Sequence, residues 1–180
     1  MAVKFFFDFC NEDGGDQKLN FERYVLHAML DDVLNAANQR LFMMSRGQYN
    51  FSHGHLLDGR KKAGGLEIEI TDLYNDTSRP LESLSGGESF LASLSLALGL
   101  ADVVQSYAGG IHLDTVFIDE GFGSLDGETL DAAMKALSEL QKHDNRLVGL
   151  ISHVEELRGR IDRRLEVTKD REHGSRARFV

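Results

Sequence analysis

The chain has 180 residues, 42% of them hydrophobic and 27% charged, with a formal net charge of −9. That length suits one domain, or one large lobe of a bigger domain, with a real buried core. A single cysteine, Cys10, excludes a disulfide framework and a cysteine-based zinc site, and the acidic balance argues against a nucleic-acid grip spread over the whole surface. One proline and 18 glycines, together roughly 11% of the chain, fall short of a low-complexity composition. The longest apolar stretch, around Phe90 to Leu100, is shorter than the roughly 20 residues a membrane span needs. Met1–Phe9 contains Lys4 and Asp8 but no small-residue cleavage site, so it does not read as a signal peptide. The expectation is a cytoplasmic protein with no membrane partner.

Residues 1–19 read as a leader that joins poorly to the rest of the chain, as at an artificial boundary. Lys4–Cys10 has the makings of a short strand, and Asn11–Lys18 is a polar loop. From Asn20, a plausible N-cap, Leu26, Leu30, Val33, Ala37, Leu41 and Met44 recur at helical spacing, with Gly47 just past the end. Gly47–Gly65 reads as hairpin strands and turns. Leu66, Ile68 and Ile70 alternate with Glu67 and Glu69, the pattern of a half-buried strand. Asp72–Pro80 reads as a polar loop, so residues 20–80 form a long helix plus a β-hairpin region.

Residues 81–180 alternate helix and strand. Gly86 to about Gln105 is a helix apolar almost all round, hence expected to be buried. Thr115–Ile118 and Leu147–Ile151 read as buried strands. Leu130, Ala133, Met134, Leu137 and Leu140 form a helical stripe between them. Val154 to about Arg160 is a short helix, and Arg164–Thr168 and Ala177–Val180 are closing strands. The alternation predicts an α/β fold with a mostly parallel sheet and flanking helices.

Three segments carry chemistry. In Leu84-Ser85-Gly86-Gly87-Glu88, two glycines and a hydroxyl precede a helix whose free amides and dipole suit a phosphate. The same Ser85 and Glu88 also have the spacing of a capping box. In Thr115–Glu120, an apolar strand ends in Asp119 and Glu120, where a sheet of this class places its ligand crevice. Neighbouring strand residues point to opposite faces, so one acid can hold a hydrated Mg²⁺ while the other polarises a water. A polar strand end turning into a loop is the plainer alternative. Ser124-Leu125-Asp126 comes next, with Asp126 an N-cap candidate for the next helix. Finally, Ser152-His153 ends the strand Leu147–Ile151, and a histidine there can donate to a phosphate oxygen. Ser152 with Glu155 also fits a capping box.

The order and spacing of these parts resemble an ABC-type ATPase. Leu84–Glu88 is similar to the family's LSGGE signature, Thr115–Glu120 to its Walker B strand with the catalytic glutamate, Ser124–Asp126 to the D-loop, and His153 to the switch histidine. Within that superfamily the stretches Leu84 to Leu94 and Asp119 to Asp126 resemble SbcC proteins, SMC-related ATPase subunits of bacterial DNA-end-processing nucleases. The resemblance covers about Asn20 to Val180. No G-x-x-x-x-G-K-[ST] loop occurs in the sequence. In SbcC that loop lies in an N-terminal segment across a long coiled coil, so the resemblance implies the C-terminal half of a head. The helix from Asn20 to Ser45 would be the coiled-coil return.

The resemblance further implies ATP and Mg²⁺, with Asp119 supporting the metal through water, Glu120 orienting the attacking water and His153 contacting the γ-phosphate. Ser85, Gly86, Gly87 and Glu88 would serve in trans, with Ser124 and Asp126 coupling two sites. The implied partners are the N-terminal P-loop half, a second head, an SbcD-like nuclease and double-stranded DNA ends. An ABC transporter ATPase is a competing reading, countered by the absence of a P-loop in the 83 residues before Leu84. A non-hydrolysing interaction module of the same fold is another. A sheet lacking its P-loop strands is expected to expose apolar edges and to be marginally stable or self-associating. His53-Gly54-His55 is short of ligands for a metal. The arginines at positions 158, 160, 163, 164, 171, 176 and 178 interleave with Asp162, Glu166, Asp170 and Glu172, which favours a salt-bridged surface over a DNA face.

Overall fold

Helix α1, Phe21–Met44, enters the fold through its second half. Leu34, Ala37, Leu41 and Met44 are buried at three- and four-residue spacing, one stripe of a helix. The expected stripe is corrected at its start, because Leu26 is exposed along with Val25 and Met29. The helix ends in a Schellman motif. The Gly47 amide donates to the Phe42 carbonyl (2.7 Å) and the Arg46 amide to Met43 (3.3 Å), with Arg46 and Gly47 both at positive φ. The computed structural model describes residues 21–53, 66–109, 113–143, 146–170 and 174–180. The expected leader strand, Asn20, Cys10, Gly54 and His55 lie outside the described residues.

Strands β1 (Tyr49–His53), β2 (Ile68–Asp72) and β3 (Thr77–Pro80) form an antiparallel sheet in that order. Tyr49, Phe51 and Ile70 turn inward, as the alternation around Ile68 and Ile70 predicts. β1 is an edge, and Asn38 of α1 covers it. Its side-chain amide donates to the Phe51 carbonyl (3.1 Å) and accepts from the Phe51 amide (2.6 Å). β3 corrects the expected loop over Asp72–Pro80. It pairs with β2 from Asp72↔Thr77 to Glu69↔Pro80. Being an exposed edge strand, β3 carries no apolar alternation for the sequence to display, and its proline sits at the end where a missing amide is tolerated. Asp72 anchors the connecting turn by accepting from Gln48, Tyr74 and Asn75. Burial pushes its carboxyl up, but these bonds outweigh burial and hold it below the usual range.

Helix α2, Gly86–Tyr107, crosses α1. The crossing is tight because Gly99 has no side chain: a Cβ there would lie 2.7 Å from the Ala37 amide nitrogen and 2.8 Å from the Val33 carbonyl oxygen. Asp102 adds a polar tie, meeting Arg40 at 2.5 Å and the buried Arg146 at 2.8 Å. By length and hydropathy α2 could cross a membrane, which the shorter apolar run did not predict. Here it is a core helix, with Leu91, Leu94, Leu98 and Val103 buried. It is not buried all round, since Leu100, Val104 and Tyr107 stay exposed at its far end.

The α/β part of the fold is the parallel pair β4 (Thr115–Asp119) and β5 (Leu147–Ile151), with helix α3 (Gly127–His143) between them in sequence. α3 buries Leu130, Ala133, Ala136 and Leu137. The remaining elements are the short helix α4 (Glu155–Arg158) and an antiparallel hairpin, β6 (Leu165–Asp170) with β7 (Gly174–Phe179). The other described ladders are thus antiparallel. The expectation that β4 and β5 are buried is corrected: only one face packs on the core, through Ile118, Val116, Val148 and Leu150. The opposite face is bare, leaving Phe117 71%, Leu147 60% and Ile151 53% exposed.

Candidate functional site

The register of the parallel pair builds the first half of the site. Thr115 aligns with Leu147 and Asp119 with Ile151, so the C-terminal ends of β4 and β5 lie side by side. The Glu120 amide extends the pairing by donating to the Ile151 carbonyl at 2.9 Å. Residues 33 positions apart in sequence therefore meet, and a Glu120 carboxylate oxygen shares a hydrogen bond with His153 Nδ1 at 2.9 Å. Glu120 adopts φ +61°, a conformation that costs a non-glycine residue about 1 kcal/mol and clusters at functional sites. Both side chains are exposed. Asp119, also exposed, shares the outward face of β4 with Phe117, opposite buried Ile118. Ser152 forms no capping box with Glu155; its hydroxyl accepts from the Val154 amide at 3.2 Å, and Val154 is the N-cap residue of α4.

A 3-10 turn over Phe122–Ser124 leads from this pair to the second half. Gly121 lies at φ +97°, and its missing Cβ makes room for the Phe90 ring, which meets buried Phe122 edge-on at 4.9 Å. At the start of α2 the capping box is present in both directions. Ser85 Oγ accepts from the Glu88 amide (3.4 Å), and Glu88 Oε2 accepts from the Ser85 amide (2.7 Å). The paired glycines have a further role: a Cβ on Gly87 would stand 3.1 Å from the Ser124 carbonyl oxygen, and one on Gly86 3.6 Å from Ser124 Cβ. The Ser85–Gly87 turn and the Ser124 turn are thus packed together. Accepting from Glu88 leaves the Ser85 hydroxyl proton for another acceptor, and the first-turn amides of α2 add further donors. Asp126 caps α3, accepting from the Thr129 amide (2.7 Å) and hydroxyl (3.0 Å), which hold its carboxyl below the usual range. Among the described residues no hydrogen bond or ion pair joins the Ser85 turn to the Glu120–His153 pair.

Sequence reasoning missed the support behind Glu88. Tyr49 of β1 donates to Glu88 Oε1. Arg79 of β3 reaches both, at 3.4 Å from the Tyr49 hydroxyl and 3.5 Å from Glu88. The Arg79 guanidinium also lies 5.7 Å from the Tyr49 ring centre and donates to the Ser83 carbonyl at 2.9 Å. Burial, reinforced by Glu88, pushes the Tyr49 hydroxyl up to about 12. At Glu88 burial acts upward, but bonds from Tyr49 and Ser85 and the charge of Arg79 outweigh it and lower the carboxyl. The one available signal was a lone arginine six residues ahead of Ser85 in an otherwise polar stretch.

Other flagged residues lie apart. His53 pairs with Asp31 and faces the His27 ring at 5.6 Å, and no group of three metal-ligating side chains occurs among the described residues. Among the described residues of the basic C-terminal stretch, Arg178 meets Glu166 at 2.9 Å and Arg160 meets Asp131, while Arg171 and Glu172 lie outside the described residues.

Residues 58–139 match the family model "SbcC/RAD50-like, Walker B motif". The chain is 50% identical over 163 residues to the C subunit of the SbcCD nuclease of Vibrio cholerae serotype O1, covering 91% of this chain and 16% of that protein. It is 48% identical over 155 residues to the protein of the same name in Staphylococcus saprophyticus, covering 86% and 15%. It therefore spans about a sixth of the length of these relatives. Among solved structures, one described as "Structural biochemistry of ATP-driven dimerization and DNA stimulated activation of SMC ATPases" aligns with TM-score 0.64 at 16% identity, over 88% of this chain and 89% of that one. The "SMC head domain from Thermotoga maritima" aligns with TM-score 0.56 at 19% identity, over 88% and 52%. In sequence the chain matches the Walker B-bearing segment of SbcC/RAD50-like proteins, and in fold it is similar to SMC heads.

Proposed function

We propose that this chain supplies one half of a composite ATP-hydrolysing head, the other half being a P-loop-bearing N-terminal segment. The observation that carries this reading is the alignment of β4 with β5, which sets Glu120 against His153 at the carboxyl end of a parallel sheet. The bare face of that sheet supports it, because parallel sheets are ordinarily covered on both sides. The P-loop half would cover Phe117, Leu147 and Ile151.

In the reaction a water attacks the γ-phosphorus, the bond from phosphorus to the bridging oxygen of the leaving ADP breaks, and Glu120 takes the water's proton. His153 bonded to Glu120 keeps that carboxylate aimed and presents its other ring nitrogen to the phosphate. Asp119 is an exposed carboxylate of the kind that holds a hydrated Mg²⁺ through one or two contacts; the ion, when bound, neutralises charge on the phosphates. Ser85, Gly86 and Gly87 offer their donors to a nucleotide held by a second head, so ATP closes a dimer. Ser124 packs on those glycines and Asp126 caps the next helix, which links the two halves of the site. By analogy with the SbcCD relatives, the dimer works with an SbcD-like nuclease on double-stranded DNA ends in the cytoplasm, away from any membrane.

The test is ATP hydrolysis by this chain alone and then mixed with a P-loop-bearing half. Activity only on mixing supports the proposal. Inactivity in both cases supports a non-hydrolysing interaction module, and activity of the chain alone overturns the composite site.

A further inference from the structure

The capping box at the start of α2 uses only one oxygen of Glu88, the one that accepts from the Ser85 amide. The other oxygen is taken by Tyr49, from a strand 39 residues earlier. Arg79 holds the same turn from its other side, through the Ser83 carbonyl at 2.9 Å, while touching Tyr49 and Glu88. Leu84 and Ser85 are therefore gripped at both ends by the β1–β3 sheet. A helix cap needs none of this.

We infer that Tyr49 and Arg79 are positioning residues for the Ser85–Gly87 turn, acting through Glu88 to aim its donors at a nucleotide phosphate on a second head. The inference rests on the proposed function, in which that turn binds a nucleotide in trans. Tyr49 is buried, so its hydroxyl arrives with little freedom. The Arg79 fork spans the tyrosine hydroxyl, the carboxylate and the Ser83 carbonyl, a task a lysine does not reproduce. Loss of either residue leaves Glu88 Oε1 with one donor in place of two and lets the first turn of α2 loosen against its neighbours.

The test uses the full-length protein that carries this segment and its P-loop part, and a non-hydrolysable ATP analogue as the probe. The readout is the analogue concentration that gives half-maximal dimerisation. Tyr49→Phe and Arg79→Met should each raise it about three- to ten-fold, the worth of one buried or charge-assisted hydrogen bond. In a Ser85→Ala background the same changes should shrink below about two-fold, because the group they aim is already gone. Arg79→Lys should recover only part of the loss. An equal effect in both backgrounds, or none in the wild-type background, overturns the inference and leaves a purely structural role. Should Ser85→Ala itself leave dimerisation unchanged, the reading of the turn fails and the inference falls with it. Arg79 is partly exposed and fills no core space, so its variants keep the test available if Tyr49→Phe folds poorly.

Discussion

Two glycines mark the difference between the helical side of the molecule and its sheet end. At Gly99 an added Cβ would meet backbone, the Ala37 nitrogen and the Val33 oxygen, because α1 and α2 lie against each other with nothing between them. At Gly149 it would meet the Phe117 ring at 2.5 Å, a side chain lying over the bare face of β4 and β5. The first contact belongs to a finished core. The second belongs to a surface whose counterpart, in the composite head proposed for this chain, is another polypeptide segment. Glu120 and His153 lie at the edge of that bare side, so in the proposed composite head the site is completed by the event that covers the sheet.

The largest effect expected at the sheet end is chemical. Glu120→Gln in the complete protein should lower turnover by about 10²- to 10⁴-fold, while ATP-driven dimers persist; steady-state hydrolysis and size-exclusion chromatography check both halves of that statement. On the helical side, Gly99→Ala should destabilise the fold by about 1–3 kcal/mol in chemical denaturation, since neither backbone segment can move aside cheaply. The matched change Gly149→Ala should stay within about 0.5 kcal/mol, because the exposed Phe117 ring can swing away. Equal costs at the two glycines would erase the contrast. Phe117→Ser should leave the stability of this chain within about 0.5 kcal/mol of wild type yet weaken its association with the P-loop half about tenfold, measured by titration calorimetry.

The smallest effect is a pH dependence at Tyr49 of β1, away from the bare face of β4 and β5. The Tyr49 hydroxyl titrates at about 12 in the fold and near 10 in an unfolded chain. Its contribution to stability is therefore complete below about pH 10 and is lost as pH rises towards 12. Thermal melts of Tyr49→Phe should lack that component of the alkaline decline. An identical decline in the variant would show that Tyr49 is not held in its protonated form.

Much of this was legible beforehand. The period of Val33, Ala37 and Leu41 predicts α1, the capping-box spacing of Ser85 and Glu88 marks the start of α2, and each catalytic candidate sits where its strand or helix ends. The misleading step was reading apolar content as burial. Phe117, Leu147 and Ile151 are as apolar as Ile118, but only Ile118 meets the core; sequence records that a side chain avoids water, not which surface takes it up. The edge strand β3 was hidden for the opposite reason, since its pairing is made by backbone groups that every residue shares.

Local order was written in the chain: the helix starts, the strand runs, the Ser-Gly-Gly-Glu cap and the acids that close β4 follow from residue types a few positions apart. Which distant groups meet was settled only by the fold. Parallel register carries Glu120 to His153, and a packed sheet carries Tyr49 and Arg79 to Glu88, because contact across tens of residues depends on how elements stack in space rather than on any local preference.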